Sequence, residues 1–103
     1  MSVIDLIAKR RSPMVFSQNI PSQEEINSLF EAAISAASCF NEQPWRFVYA
    51  TRNEPEAFNK ILDCLVEPNK IWAKDAAFII ATFAAKNFVH NNQTNRHALH
   101  DVG

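Results

Sequence analysis

Ser38-Cys39-Phe40-Asn41-Glu42-Gln43-Pro44-Trp45-Arg46-Phe47 gathers two amides, a hydroxyl and a thiol just ahead of a large aromatic. Such a junction can set side chains and backbone N–H groups beside a flat, polar ligand. What lies on either side decides the fold. Upstream, Ser22 with Glu25 three residues later forms a capping box, in which each side chain takes the other's backbone N–H. Ile26, Leu29, Phe30, Ala33, Ile34 and Ala37 recur at helical spacing, so the pattern predicts an amphipathic helix over 22–37. Downstream, Trp45, Phe47 and Tyr49 alternate with Arg46, Val48 and Ala50, which predicts a strand over 45–51. The stretch is a helix-to-strand junction.

Working outward, Ser2 caps a short helix over 2–10, with Val3, Ile4 and Ile7 on one face. Ser12-Pro13 then turns the chain extended. A further helix is expected over about 54–65, with Asn53 and Glu56 at its start and Pro55 in its first turn. Its apolar face is Phe58, Ile61, Leu62 and Leu65. Pro68 breaks it, and one more helical turn follows over 69–74. Residues 76–84 are continuously apolar; their length and β-branched centre favour a strand buried on both faces, while periodicity leaves a helix open. Residues 86–94 form a polar loop, and a helical pattern starts near Asn95. Two strands do not make an independently stable sheet. The chain is therefore expected to be a truncated domain, or to need a partner subunit.

Composition narrows the function classes. In 103 residues, 48% are hydrophobic and 20% charged, a globular balance that allows one small domain. A formal charge of -1 provides no general field for nucleic acid or an anionic membrane. No apolar run approaches the ~20 residues of a membrane span. Cys39 and Cys64 stand apart in no metal or redox pattern, which points to reduced thiols in a cytoplasm. The single glycine is Gly103, where average usage of ~7% gives about seven, so a glycine-rich phosphate loop is excluded. Any phosphate must be held by side chains or helix ends.

Several groups could carry chemistry. Arg10, Arg11 and Ser12 form a basic and hydroxyl cluster suited to phosphate, because the guanidinium fork donates two bonds. Spacing alone equally describes a solvated helix C-terminus favoured by the macrodipole, and that is the commoner case. Ser38, Cys39, Asn41 and Gln43 offer heterocycle-edge donors and acceptors, or ordinary turn chemistry. Trp45, Phe47 and Trp72 read more readily as core than as stacking platforms. Cys39 has no histidine close in sequence and reads as a small semi-buried residue rather than a nucleophile. His97 and His100 are three apart beside Asp101, but no third ligand stands at a convincing place, so no metal is expected.

Taken together the segments resemble the nitroreductase family of FMN-dependent oxidoreductases. Lys9-Arg10-Arg11-Ser12-Pro13-Met14-Val15-Phe16 is similar to the family's Arg-Arg-Ser-x-Arg-x-Phe. Residues 37–47 are similar to its Ala-Pro-Ser-x-x-Asn-x-Gln-Pro-Trp-x-Phe. Asn69-Lys70-Ile71-Trp72-Ala73-Lys74-Asp75-Ala76, the apolar strand and Ala98-Leu99-His100-Asp101-Val102-Gly103 follow in order. Met14 stands where the family usually has Arg or Lys, Ala37 where it has Pro, and Cys39 where it has Ser.

The resemblance implies an α+β, nitroreductase-like fold of three-layer α-β-α type. Residues 1–103 would be the N-terminal half of a single domain, truncated before the later strands. It implies a cytoplasmic flavoprotein homodimer with FMN at the interface and NAD(P)H as co-substrate. Electrons would pass to nitroaromatic, quinone or similar acceptors by a ping-pong mechanism, with no catalytic side chain. By position, Arg10 and Ser12 would contact the FMN phosphate and ribityl chain with Arg11 helping, and Met14 would sit at the flavin edge. Asn69 would approach the polar edge of the isoalloxazine. Ser38, Cys39 and Asn41 would reach the flavin of the other subunit, with Gln43 supporting the loop. The competing expectation is an inactive fragment or degenerate relative with an assembly or binding role and no flavin.

Overall fold

Both serines expected to start helices do so by the same device. Ser2 Oγ accepts the Asp5 N–H at 3.2 Å while Asp5 Oδ2 accepts the Ser2 N–H at 3.1 Å. Ser22 and Glu25 repeat the exchange at 3.1 Å in each direction. In the computed structural model, which describes residues 1–103, these boxes open α1 (Val3–Lys9) and α2 (Gln23–Ile34). α2 stops short of the expected Ala37. Ser35 is its C-cap, and the Ser35 hydroxyl donates back to the Glu31 carbonyl at 2.8 Å.

The strand over 45–51 is present as β1 (Trp45–Thr51). It pairs antiparallel with β2 (Phe78–Ala84), Trp45 opposite Ala84 and Thr51 opposite Phe78. Between them lie α3 (Pro55–Leu62) and α4 (Glu67–Ala73). Asn53 does not cap α3: Glu54 holds that position without a side-chain bond, and Pro55 supplies the first turn. Pro68 does more than break a helix. It sits in the first turn of α4, where its missing N–H costs nothing. α5 (Ala98–Val102) closes the sequence of elements after a loop pinned by an Asn87–Thr94 bridge.

Side chains on β1 alternate, so the ribbon has two apolar faces. On one, the Phe30 ring of α2 lies 5.1 Å from Phe47 and 5.2 Å from Tyr49. On the other, Ala50, Phe58 and Ala76 form the buried cluster, with Ile61, Leu62 and Ile79 packed around it. Helices thus cover both faces of one ribbon, which makes an α-β-α layering. Arg52 fastens the far end. Its Nη1 donates to the Lys74 and Ala76 carbonyls at 2.7 and 3.2 Å, with its guanidinium 5.7 Å over the Phe58 ring.

Burial is shallow for a chain this apolar. Eleven of 103 residues are buried, and β2, expected to be covered on both faces, leaves Phe83 52% exposed. The apolar residues of α1 face solvent, with Ile4 72% exposed. The radius of gyration is 15.9 Å, against about 13 Å for a compact chain of ~100 residues. An apolar groove of about 410 Å³ opens between α3, α4 and β2, lined by Phe16, Ile61, Leu65, Trp72, Phe78 and Ile80.

Two outcomes follow from this packing. Phe58→Ala removes the largest ring of the buried cluster and costs about 3–5 kcal/mol of stability, read from the denaturant midpoint. The Asp5 carboxyl is held below 3.8, first by the Ser2 hydroxyl and then by the Ser2 N–H. A lowered folded value means that the cap is complete above 3.8 and is lost as pH falls through the lowered value. An NMR titration of Asp5 will show this midpoint, and Ser2→Ala will move it back towards 3.8.

Candidate functional site

The junction folds into a single 3-10 turn, Cys39–Asn41, held by a dense set of bonds. The Asn41 N–H donates to the Ser38 carbonyl at 3.0 Å and the Glu42 N–H to the Cys39 carbonyl at 3.1 Å. The Gln43 N–H donates to Ser38 Oγ at 3.0 Å, and Gln43 Nε2 donates to Asn41 Oδ1 at 3.1 Å. Arg46 Nη1 closes the exit by donating to the Gln43 carbonyl at 3.0 Å. Gln43 is thus a support for the loop, as expected from its position.

The backbone of this turn is strained. Phe40, Asn41 and Gln43 have φ of 54°, 52° and 51°, and none is glycine. A left-handed residue with a Cβ costs of order 1–3 kcal/mol and persists only where its surroundings over-determine it. Here two carboxylates supply that restraint from a distance. Asp101 Oδ2 of α5 accepts the Cys39 N–H at 2.9 Å, across 62 residues. Glu42 Oε1 accepts the Val89 N–H at 3.0 Å, across 47 residues, and the Phe40 ring meets Phe88 edge-on at 6.0 Å.

Hydrogen-bond accounting shows what the turn can offer. The N–H groups of Cys39, Asn41, Glu42 and Gln43 are all engaged internally. The Phe40 N–H has no partner, and the Ser38 hydroxyl proton, the Asn41 Nδ2 and the Cys39 thiol are uncommitted. Ser38 and Cys39 are half-buried, whereas Phe40 and Asn41 are exposed. That set suits the polar edge of a flat ligand.

The other candidates lie elsewhere. Arg10 Nη1 donates to Ser12 Oγ at 3.1 Å, pairing guanidinium and hydroxyl in the open. Arg11 Nη1 turns back to the Ala8 and Arg10 carbonyls, each at 2.9 Å, which ends α1. Met14 is 63% exposed. Asn69 lies on the exposed side of α4, its N–H donating to Val66. Beside it Lys70 binds Glu67 at 3.0 Å and Asp63 at 3.7 Å; the Glu67 bond chiefly raises its pKa. Phe16 stacks on Trp72 of α4 at 6.0 Å, and Gln18 Nε2 donates to the Asp75 carbonyl at 3.4 Å. The segment after Ser12 is therefore anchored to the same helix that carries Asn69.

The turn and α4 sit at opposite ends of the ribbon. The turn precedes Trp45, while α4 leads into Phe78, paired with Thr51. Seven residues of strand separate the two ends by roughly 20 Å. No hydrogen bond joins Arg10 or Ser12 to the turn, or either to the Asn69 side chain. The anchors Asp101 and Glu42 escaped sequence reading because no local pattern marks a bond across 47 or 62 residues.

Comparison with known proteins fixes the class. A crystal structure described as an oxidoreductase containing FMN superposes with a TM-score of 0.87 at 28% identity, over 100% of this chain and 53% of that one. The chain thus shares its fold, along its whole length, with about half of that FMN-containing oxidoreductase. The sequence model of the nitroreductase family matches residues 7–99, and the chain belongs to that family. A relative from Archaeoglobus fulgidus, provisionally named an NADH dehydrogenase/NAD(P)H nitroreductase, is 39% identical over 51 residues, 50% of this chain and 29% of its own length. The chain spans about half of the neighbour and under a third of this relative. No helix is long and apolar enough to cross a membrane.

The strain at the turn can be measured. Phe40 is 85% exposed, so changing it alters backbone preference more than packing. Phe40→Val, β-branched at positive φ, should be less stable than Phe40→Gly by about 1–2 kcal/mol in chemical denaturation.

Proposed function

We propose that this chain is the part of an FMN-dependent oxidoreductase that holds each flavin from two places, one in each subunit of a homodimer. The carrying observation is the division of the site. The Phe16–Trp72 contact ties the segment that follows Arg10–Ser12 to α4, at the end of the ribbon opposite the edge-type donors of 38–41, and no hydrogen bond joins the pair to the turn. In a homodimer each ligand would meet the Arg10–Ser12 pair of one copy and the turn of the other.

The residues present fit the group. Arg10 offers guanidinium donors beside the Ser12 hydroxyl for a phosphate and ribityl chain, with Arg11 adding positive charge. Ser38, Cys39 and Asn41 present the uncommitted donors of the turn to the ring edge, and Asn69 presents an amide from α4. When bound, FMN accepts two electrons from NAD(P)H and passes them to a nitroaromatic, quinone or similar acceptor in a ping-pong sequence. The chain's own residues bind and orient. None is needed as a proton donor. Met14, uncharged and exposed, leaves the flavin edge without the positive charge that an Arg or Lys would bring. The free thiols of Cys39 and Cys64 suit a reducing, cytoplasmic setting.

Flavin binding tests the reading directly. The purified protein should be yellow, or become so with added FMN, and should oxidise NADH or NADPH with a quinone or nitroaromatic, giving parallel double-reciprocal plots. A protein that stays colourless with FMN overturns this function and leaves the reading of an assembly component without flavin. Met14→Arg should tighten FMN about tenfold, the worth of ~1.4 kcal/mol from one charge-assisted bond. Unchanged or weaker affinity would show that Met14 does not reach the flavin.

A further inference from the structure

We propose that Asp101 is the positioning residue of the flavin-lining turn; this rests on the flavin reading above. The Asp101 side chain is 11% exposed on α5. A carboxylate so withdrawn from water needs a donor. It takes the Cys39 N–H at 2.9 Å, and its other neighbour, His100 Nδ1 at 3.6 Å, belongs to a 92% exposed side chain. Cys39 is the first residue of the 3-10 turn. Holding its N–H fixes the Ser38–Cys39 peptide, whose carbonyl accepts the Asn41 N–H, and the Cys39 carbonyl of the next peptide accepts the Glu42 N–H. Those bonds aim Asn41 and leave the Phe40 N–H free.

The turn contains three left-handed residues and no glycine, so its relaxed states compete with the aimed one. Asp101 shifts that balance from 62 residues away. Without it the aimed fraction falls, and apparent ligand affinity falls by the same fraction. The group acts through the turn and touches neither flavin nor acceptor. It also couples α5 to the turn, so the placement of α5 is felt at the donors of Ser38 and Asn41.

The test uses the native protein with Asp101→Asn and Asp101→Ala. FMN affinity is read by fluorescence quenching, the bound flavin by visible circular dichroism, and the turn by amide exchange at Cys39, all well below each variant's melting temperature. Asparagine keeps an acceptor oxygen in place, and alanine does not. Asp101→Ala should weaken FMN by about tenfold or more, the loss of one charge-assisted bond, and unprotect the Cys39 amide. Asp101→Asn should restore affinity to within about threefold, as a retained acceptor predicts. Wild-type affinity and dichroism in Asp101→Ala would overturn the proposal, as would an Asp101→Asn no better than Asp101→Ala. A wild-type protein that binds no FMN removes the function first, and is told apart by its own titration. Should Asp101→Ala not fold, Cys39→Pro against Cys39→Ala removes the bond from the donor side. Ser38, at φ -147° and ψ 158°, accepts a following proline. Cys39→Pro should then show the same tenfold loss, and equal affinities would overturn the proposal.

Discussion

The antiparallel pairing of β1 with β2 is the constraint on which the rest depends. Its seven-residue register sets Ala50 beside Ile79, which gives Phe58 a buried partner on one face. Alternation along β1 sets Phe47 and Tyr49 together on the other face, where Phe30 packs. Arg52, continuing from Thr51, then ties the entry of β2 to its carbonyls. A shift of one residue would turn Ile79 to the opposite face and take it out of the Ala50–Phe58–Ala76 cluster.

That pairing also keeps the turn at 38–43 and α4 apart. The turn at 38–43 is fixed just ahead of β1, and α4 with the Phe16–Trp72 contact is fixed just ahead of β2. Antiparallel strands place those two entries at opposite ends. Their separation thus follows from strand direction rather than from loop detail. The same geometry leaves α1, Phe83 of β2 and the groove beside Trp72 exposed.

The turn itself shows how a chain with a single glycine makes a tight, donor-rich junction. Glycine would enter the left-handed region without cost, but would leave the turn free to move. Phe40, Asn41 and Gln43 enter it with Cβ atoms and are held there by Ser38, Asp101 and Glu42. The strained backbone is restrained by parts of the chain distant in sequence.

Much of this was legible in advance. Ser2, Ser22, the alternation of 45–51 and the proline at 55 each act within a few residues, so local periodicity and capping chemistry suffice to determine them. The motif-like segments at 9–16 and 37–47 were readable for the same reason, since their residue types and spacing are properties of the chain. Limits were less clear where a single hydroxyl or proline changed the outcome: Ser35 ended α2 early, and Pro68 opened α4. By itself, then, the sequence determined the main helices, the strand at 45–51 and the kinds of donor available. Tertiary structure alone decided the pairing of the two strands, which of those donors remain free, that Asp101 and Glu42 brace the turn, and that the turn and α4 lie at opposite ends of the ribbon. Those facts depend on bonds spanning tens of residues, which exist only once strand pairing has brought their partners together.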